Sequence, residues 1–159
     1  MKHTTLENLA GQFDAFFIDQ FGVIMDASGP YPFAVDAIKR LSQYNKPIVL
    51  ISNSGKRAAK NCARLERLGF ELSLFTAVIT SGEMAYWTIK NKFQGGHSST
   101  PKIYLISRDA DTSPINGLSC EIANNTNEAD YLIIAGSESD TKPFCLLYTS
   151  DAADDSIRV

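Results

Sequence analysis

Residues 16–23 read Phe16-Phe17-Ile18-Asp19-Gln20-Phe21-Gly22-Val23, and the reading of this stretch decides the fold. With Ala15 it begins as a short, wholly apolar run, the pattern of a strand buried on both faces in a parallel sheet. The run stops at a carboxylate, Asp19, and Gly22 permits a sharp exit. Two similar runs follow, Pro47-Ile48-Val49-Leu50-Ile51 and Thr76–Ile79. Between and after them, helical spacing predicts helices over 33–44, 56–68 and 83–93. Gly69 is placed to stop the second helix, and Ser81 to cap the third. Strand and helix alternating three times predicts an α/β fold with a parallel sheet. A polar lead-in over 1–13, with a short helix, precedes it.

The next boundary is Gln94-Gly-Gly-His-Ser-Ser-Thr-Pro101, a Gly/Ser-rich linker. Beyond it, Lys102–Ile106 and Tyr131–Ala135 are strand-like, Cys120–Ala123 is a short strand, and Asp109–Asn116 favours helix or turn. This is the start of a second α/β unit. The expected organisation is therefore 1–94, 95–144 and a tail, 145–159. The tail, beginning Cys145-Leu-Leu-Tyr-Thr-Ser-Asp-Ala-Ala-Asp-Asp-Ser, resembles translated adapter sequence and is read as non-native. The alternative is a native amphipathic C-terminal helix.

Composition narrows the function classes. The 159 residues are 44% hydrophobic and 21% charged, with 15 basic and 18 acidic side chains giving a net charge of −3. That is globular composition, and it excludes a nucleic-acid binder working through phosphate contacts. Cys62, Cys120 and Cys145 are odd in number and widely spaced, so they form neither a metal-type pair nor a disulfide framework. A reducing cytoplasm is the expected compartment. No signal peptide or membrane span is expected.

Two motifs carry chemistry. A carboxylate at the C-terminal end of a buried strand stands where open α/β sheets bind ligands. There Asp19 suits a nucleophile toward phosphorus or a Mg²⁺ ligand; the plainer reading is that it caps the next turn. Val49-Leu-Ile-Ser-Asn-Ser-Gly-Lys-Arg57 ends a strand in hydroxyls and opens a helix with two cations. Its free helix-terminal amides suit a phosphate oxygen, Ser52 adds a hydroxyl, and Lys56 or Arg57 adds charge. An ordinary turn with solvated cations is the alternative. It is not a Walker A loop, since Leu50 and Arg57 occupy required Gly and Ser/Thr positions. Together, two adjacent strands would deliver a carboxylate and an anion-binding loop to one sheet edge, as Mg²⁺-dependent phosphoryl transfer requires.

In order and spacing, FFIDQFGVI, GPYPFAVDAIKRL, IVLISNSGK, RLERLGF and VITSGEMA resemble the haloacid dehalogenase-like (HAD) superfamily, subfamily IIA, the NagD-like branch. The likeness runs from about Phe13 to Thr141, and ADYLIIAGSESD resembles part of that branch's cap domain. The resemblance implies a Rossmann-like core, incomplete here, followed by part of an α/β cap. It implies a Mg²⁺-dependent hydrolase acting on a small phosphorylated metabolite through an aspartyl-phosphate. Asp19 would be the nucleophile and a metal ligand, the Phe21 carbonyl a second ligand, and Ser52 and Asn53 would meet the phosphoryl group and substrate.

Two departures from the family pattern matter. The family usually places a general acid two residues after the nucleophile, where this chain has Phe21. Asp26 is the nearest carboxylate downstream. The family's later Lys and acidic pair are also missing, and Asp151, Asp154 and Asp155 in the tail are not assigned to the metal. The expectation is an N-terminal portion that is unstable and nearly inactive alone, since it exposes an apolar sheet edge. The alternative function is a non-catalytic relative that binds a phosphorylated ligand or a protein partner. Elsewhere, His97 reads as a solvated linker residue, Asp109 and Asp111 as surface turn residues, Trp87 as helix packing and Cys62 as core.

Overall fold

The computed structural model describes residues 4–93 and 100–136. The chain divides into two units, one drawn from Met1–His97 and Ser113–Leu118, the other from Ser98–Thr112 and Ser119–Val159. The expected linker residues 94–99, including His97, and the 145–159 tail lie outside the described residues.

In the first unit the order is α1 (Leu6–Ala10), β1 (Phe16–Asp19), α2 (Ala34–Ser42), β2 (Ile48–Ser52), α3 (Ala58–Arg67), β3 (Ala77–Thr80) and α4 (Ser81–Phe93). The strands form a parallel sheet in the order β1-β2-β3. Phe16 pairs with Ile48 and Asp19 with Ile51; Val49 pairs with Ala77 and Ser52 with Thr80. Ile48 and Leu50 of β2 are buried, as are Ile38 and Leu41 of α2 and Leu65 of α3, with Phe70 and Phe75 completing the core. Phe16, Ile18 and Val78 pack against this cluster from the same sheet face.

β1 is not buried on both faces. The register aligns Phe17 with Val49 and Ala77 on the opposite face, where Phe17 is 68% and Ile51 39% exposed. Strand alternation sends Phe16 and Ile18 to the covered side and Phe17 to the other. The apolar run therefore records a face that the described residues leave open.

α3 ends as its glycine predicts. Gly69 has φ +88°, its N–H donates to the Glu66 carbonyl at 3.0 Å, and the Phe70 N–H donates to Leu65 at 3.0 Å. This is the Schellman arrangement, and only glycine enters that left-handed position without strain. α4 starts earlier than expected. It follows β3 directly, and Thr80, not Ser81, caps it: the Thr80 hydroxyl accepts from the Glu83 N–H at 3.0 Å. Trp87 is also not packed inside. It is 46% exposed, edge-on to Tyr86, with the Lys90 ammonium 4.8 Å from its ring centre.

The second unit holds β4 (Lys102–Ile106), β5 (Glu121–Ile122) and β6 (Tyr131–Ile134), a parallel sheet in the order β5-β4-β6. Ile103 of central β4 is fully buried. The Asn125 carboxamide accepts from the Asn127 and Glu128 N–H groups, and the Asp130 carboxylate accepts from the Lys102 N–H at 2.8 Å. Asp109 and Asp111 fall in and just after a short 3₁₀ turn, Arg108–Ala110.

Candidate active site

Parallel pairing brings three polar residues to one edge of the first sheet. Asp19, Ser52 and Thr80 are the last residues of β1, β2 and β3. Carboxyl ends of parallel strands are where open α/β sheets hold ligands.

At the end of β1 the chain turns out of the sheet at once. Asp19 Oδ1 accepts from the Gln20 N–H at 2.7 Å. The Gln20 carbonyl accepts from Val23, Ile24 and Met25 at 3.4, 3.0 and 3.2 Å. Gly22, at φ +86°, donates to the Met25 carbonyl at 2.8 Å. Asp19 is left exposed and Phe21 is 54% exposed. Asp19 thus does cap its own turn through one oxygen, which leaves its second oxygen for other chemistry. The bridge between Phe21 and Met25 is made by the Gln20 carbonyl and the Gly22 amide, so it does not consume the Phe21 carbonyl. Gln20 is buried, and its side-chain nitrogen has no acceptor among the described residues.

Asp19 and the Phe21 carbonyl are hard oxygen donors two residues apart on one exposed turn, the donor chemistry Mg²⁺ takes. By themselves they would be part of a shell. Among the described residues no cluster of three His, Cys, Asp or Glu side chains stands ready for a metal. Asp26, the nearest carboxylate downstream of Phe21, is engaged locally. Its Oδ1 accepts from the Ser28 and Gly29 N–H groups at 2.7 and 3.3 Å, inside its own turn.

The loop after β2 is tied down at several points. Ser52 Oγ accepts from the Ser54 N–H at 3.3 Å, and Ser54 Oγ accepts from the Lys56 N–H at 3.2 Å. The Ser52 hydroxyl keeps its own proton to donate. Asn53 and Lys56 are exposed beside it. The start of α4 then clamps this loop. The Gly82 N–H donates to the Ser54 carbonyl at 3.0 Å, and the Thr80 hydroxyl donates to the Lys56 carbonyl at 2.8 Å. A Cβ at position 82 would lie 2.1 Å from the Gly55 oxygen, so only glycine fits.

Glu83 closes the clamp and corrects the sequence-based picture of this loop. Its carboxylate accepts two bonds from Arg57, 2.7 Å from Nε and 2.9 Å from a terminal nitrogen, and a third from the Ala58 N–H at 3.0 Å. Arg57 also lies over the Tyr86 ring, 3.4 Å from its centre. Arg57 is therefore not a phosphate-binding cation, and the first amide of α3 is not free for an anion, because an internal carboxylate holds both. The Arg57 guanidinium keeps the Glu83 carboxyl below the usual carboxylate range, with partial burial opposing it; Glu83 in turn pushes Arg57 up. Of the two cations in this motif, Lys56 is the one left exposed. Cys62, in α3, is half-buried and free, and burial pushes its thiol up.

Sequence reasoning named Asp19, Phe21, Ser52 and Asn53 but missed Thr80, Gly82 and Glu83. A signal was present: Thr80-Ser-Gly-Glu83 has the spacing of a capping box. Thr80 plays its usual part, and the glutamate is diverted to the neighbouring helix.

The family model for haloacid dehalogenase-like hydrolases matches residues 16–119. No curated protein matches the chain. Among solved structures, it is similar to a haloacid dehalogenase-like family hydrolase from Brucella suis 1330, at 20% identity and TM-score 0.76, covering 96% of this chain and 57% of that one. It is similar to a glycerol phosphate phosphatase from Mycobacterium tuberculosis in complex with magnesium, at 20% identity and TM-score 0.61, covering 92% and 43%. It is similar to NagD from E. coli K-12, at 15% identity and TM-score 0.54, covering 89% and 53%. The chain thus spans about half the length of these structures. The family match covers well over half of the chain, from β1 through the Ser52 loop and the α4 clamp into the second unit, and the chain belongs to the haloacid dehalogenase-like hydrolase family.

Proposed function

We propose that this chain is the N-terminal part of a Mg²⁺-dependent phosphomonoester hydrolase of the NagD-like branch. The observation that carries the reading is the pairing of β1 with β2, which puts Asp19 and Ser52 at one strand edge next to a clamped loop. In this reading a free Asp19 carboxylate oxygen attacks phosphorus and the ester P–O bond breaks. The leaving oxygen takes a proton, and water then attacks the aspartyl-phosphate, releasing phosphate and restoring the carboxylate. Ser52 donates its hydroxyl proton to a phosphoryl oxygen, and Asn53 faces the substrate. Asp19 and the Phe21 carbonyl would hold Mg²⁺, which when bound would offset charge on the phosphoryl oxygens.

The neighbouring phosphatases support the substrate class, a small phosphorylated metabolite. Phe21 has no proton to give, so the leaving-group proton comes from water or substrate. Residues 1–94 would be core, 95–144 part of a cap, and 145–159 foreign to the fold. The open β1 face, with Phe17 and Ile51, supports a missing portion that covers it. Among the described residues no helix is long and apolar enough to cross a membrane, and the free thiols Cys62 and Cys120 support a reducing, cytoplasmic setting.

The test is phosphate release by the chain joined to its continuation. Asp19→Asn should reduce turnover to background, and turnover that survives it would refute the mechanism. One observation favours a second reading, a relative that binds phosphate esters without turnover: Phe21 stands where the acid belongs. Phe21→Asp discriminates. A gain of about 10²-fold or more fits a hydrolase lacking its acid, and no turnover with or without the change fits the binding protein.

A further inference from the structure

An open concavity lies away from the strand edge, and it does not depend on the proposed function. Ala27, Ser28 and Gly29 on one side, and Arg64, Arg67 and Leu68 on the other, line a cavity of about 270 Å³. Arg64 and Arg67 are three residues apart on α3, so they share a helix face. They lie six and nine residues beyond Ala58, about 9 and 14 Å along the helix from its start beside the Ser52 loop.

The bonding of these arginines is unusual. The guanidinium of Arg57 pairs with a carboxylate, whereas among the described residues Arg64 donates to the Asp26 carbonyl, at 3.5 Å, and Arg67 to the Ala63 carbonyl, at 3.3 Å. Neither forms a salt bridge among the described residues. Each guanidinium has five N–H donors, so most remain available. Like charges three residues apart repel on a helix, and a bound anion would relieve that repulsion. The facing turn is preformed. Asp26 Oδ1 holds the Ser28 and Gly29 amides, and Gly29 is left-handed at φ +139°. That engagement keeps the Asp26 carboxylate bonded to its own turn, while the Ser28 residue adds a hydroxyl to the wall. Leu68 supplies an apolar floor.

We propose that this cavity binds a small oxyanion, phosphate or carboxylate, between the Arg64 and Arg67 guanidinium groups. Paired planar forks match such anions better than point charges do. The turn that walls the cavity continues from the exit of β1: Met25 bridges to Pro30 across it, and Gly22 bonds Met25. An anion here would therefore brace the segment that leaves Asp19.

The test is an NMR titration of the chain joined to its continuation with inorganic phosphate, and separately with malonate, at constant ionic strength made up with sodium chloride. The side-chain Nε signals of Arg64 and Arg67 and the amides of Ser28 and Gly29 should shift and saturate. Saturation by both anions, or by one, assigns the oxyanion class. Arg64→Gln with Arg67→Gln should weaken that saturation at least 10-fold, Arg67→Lys should weaken it less, and Ser52→Ala should leave it unchanged. Shifts that rise linearly, or that chloride reproduces, would overturn the proposal. So would variants that lose thermal stability while the wild-type chain shows no saturation, because the arginines would then serve only the C-terminal dipole of α3. If the double variant does not fold, Arg67→Lys and the wild-type saturation decide alone.

Discussion

The exit of β1 and the exits of β2 and β3 meet at one sheet edge but are held in different ways. Asp19 sits on a turn closed by its own neighbours, with Phe21 exposed beside it and Phe17 exposed on the strand behind. The Ser52 loop is gripped from outside by Thr80, Gly82 and Glu83. The Ser52 loop is thus held from a neighbouring helix start, whereas among the described residues the Asp19 turn is held by its own neighbours. Stability should concentrate on the clamped side and chemistry should wait on the open side.

Substitutions can break or sharpen that contrast. Gly82→Ala should have the largest effect. Its methyl would meet the Gly55 carbonyl at 2.1 Å, backbone against backbone, and should cost about 3 kcal/mol in urea unfolding, the upper end for overpacking. Thr80→Val should cost about 2 kcal/mol, because it leaves the Lys56 carbonyl and the Glu83 N–H without their buried partner.

Glu83→Gln should cost about 1–2 kcal/mol near neutral pH, since the pair is sheltered, each side chain 21% exposed, but not fully buried. The pH dependence has a definite sign. The Glu83 pKa is lowered from 4.5 in the folded chain, so its contribution is present above about pH 4.5 and is lost as pH falls through the depressed value. Wild type should therefore lose more stability than Glu83→Gln between pH 7 and pH 3. Equal losses would remove Glu83 from the clamp. Phe17→Thr should have the smallest effect, under about 0.5 kcal/mol, because it alters an exposed site and exchanges one strand former for another. A loss of several kcal/mol would mean that the face is covered.

The two sides were also unequally legible in the sequence. The β1 exit could be read because its determinants are adjacent: an apolar run, a carboxylate and a glycine within eight residues, Phe16 to Val23. The alternation of strand and helix and the Gly69 helix stop follow from equally local patterns. The clamp joins residues far apart in sequence, Ser54 to Gly82 and Arg57 to Glu83, and no local period reports which helix start will meet which loop. That is why Arg57 looked like a phosphate ligand. Its spacing after Ser52 suited an anion loop, and its partner lay 26 residues away. Apolar runs carry a related ambiguity. They mark a face that wants cover, but not whether the chain in hand supplies it, and Phe17 is the case in point. Trp87 packs along its own helix, edge-on to Tyr86 and under Lys90, but its 46% exposure could not be read from helical spacing.

The most direct test of the account is to find where the phosphoryl group goes. The chain with its continuation is mixed with a phosphomonoester and Mg²⁺, quenched in acid, and its peptides are mapped by mass spectrometry. The account predicts a phosphoryl adduct on Asp19 that vanishes in Asp19→Asn together with phosphate release. An adduct on another residue, or undiminished release by Asp19→Asn, would contradict it.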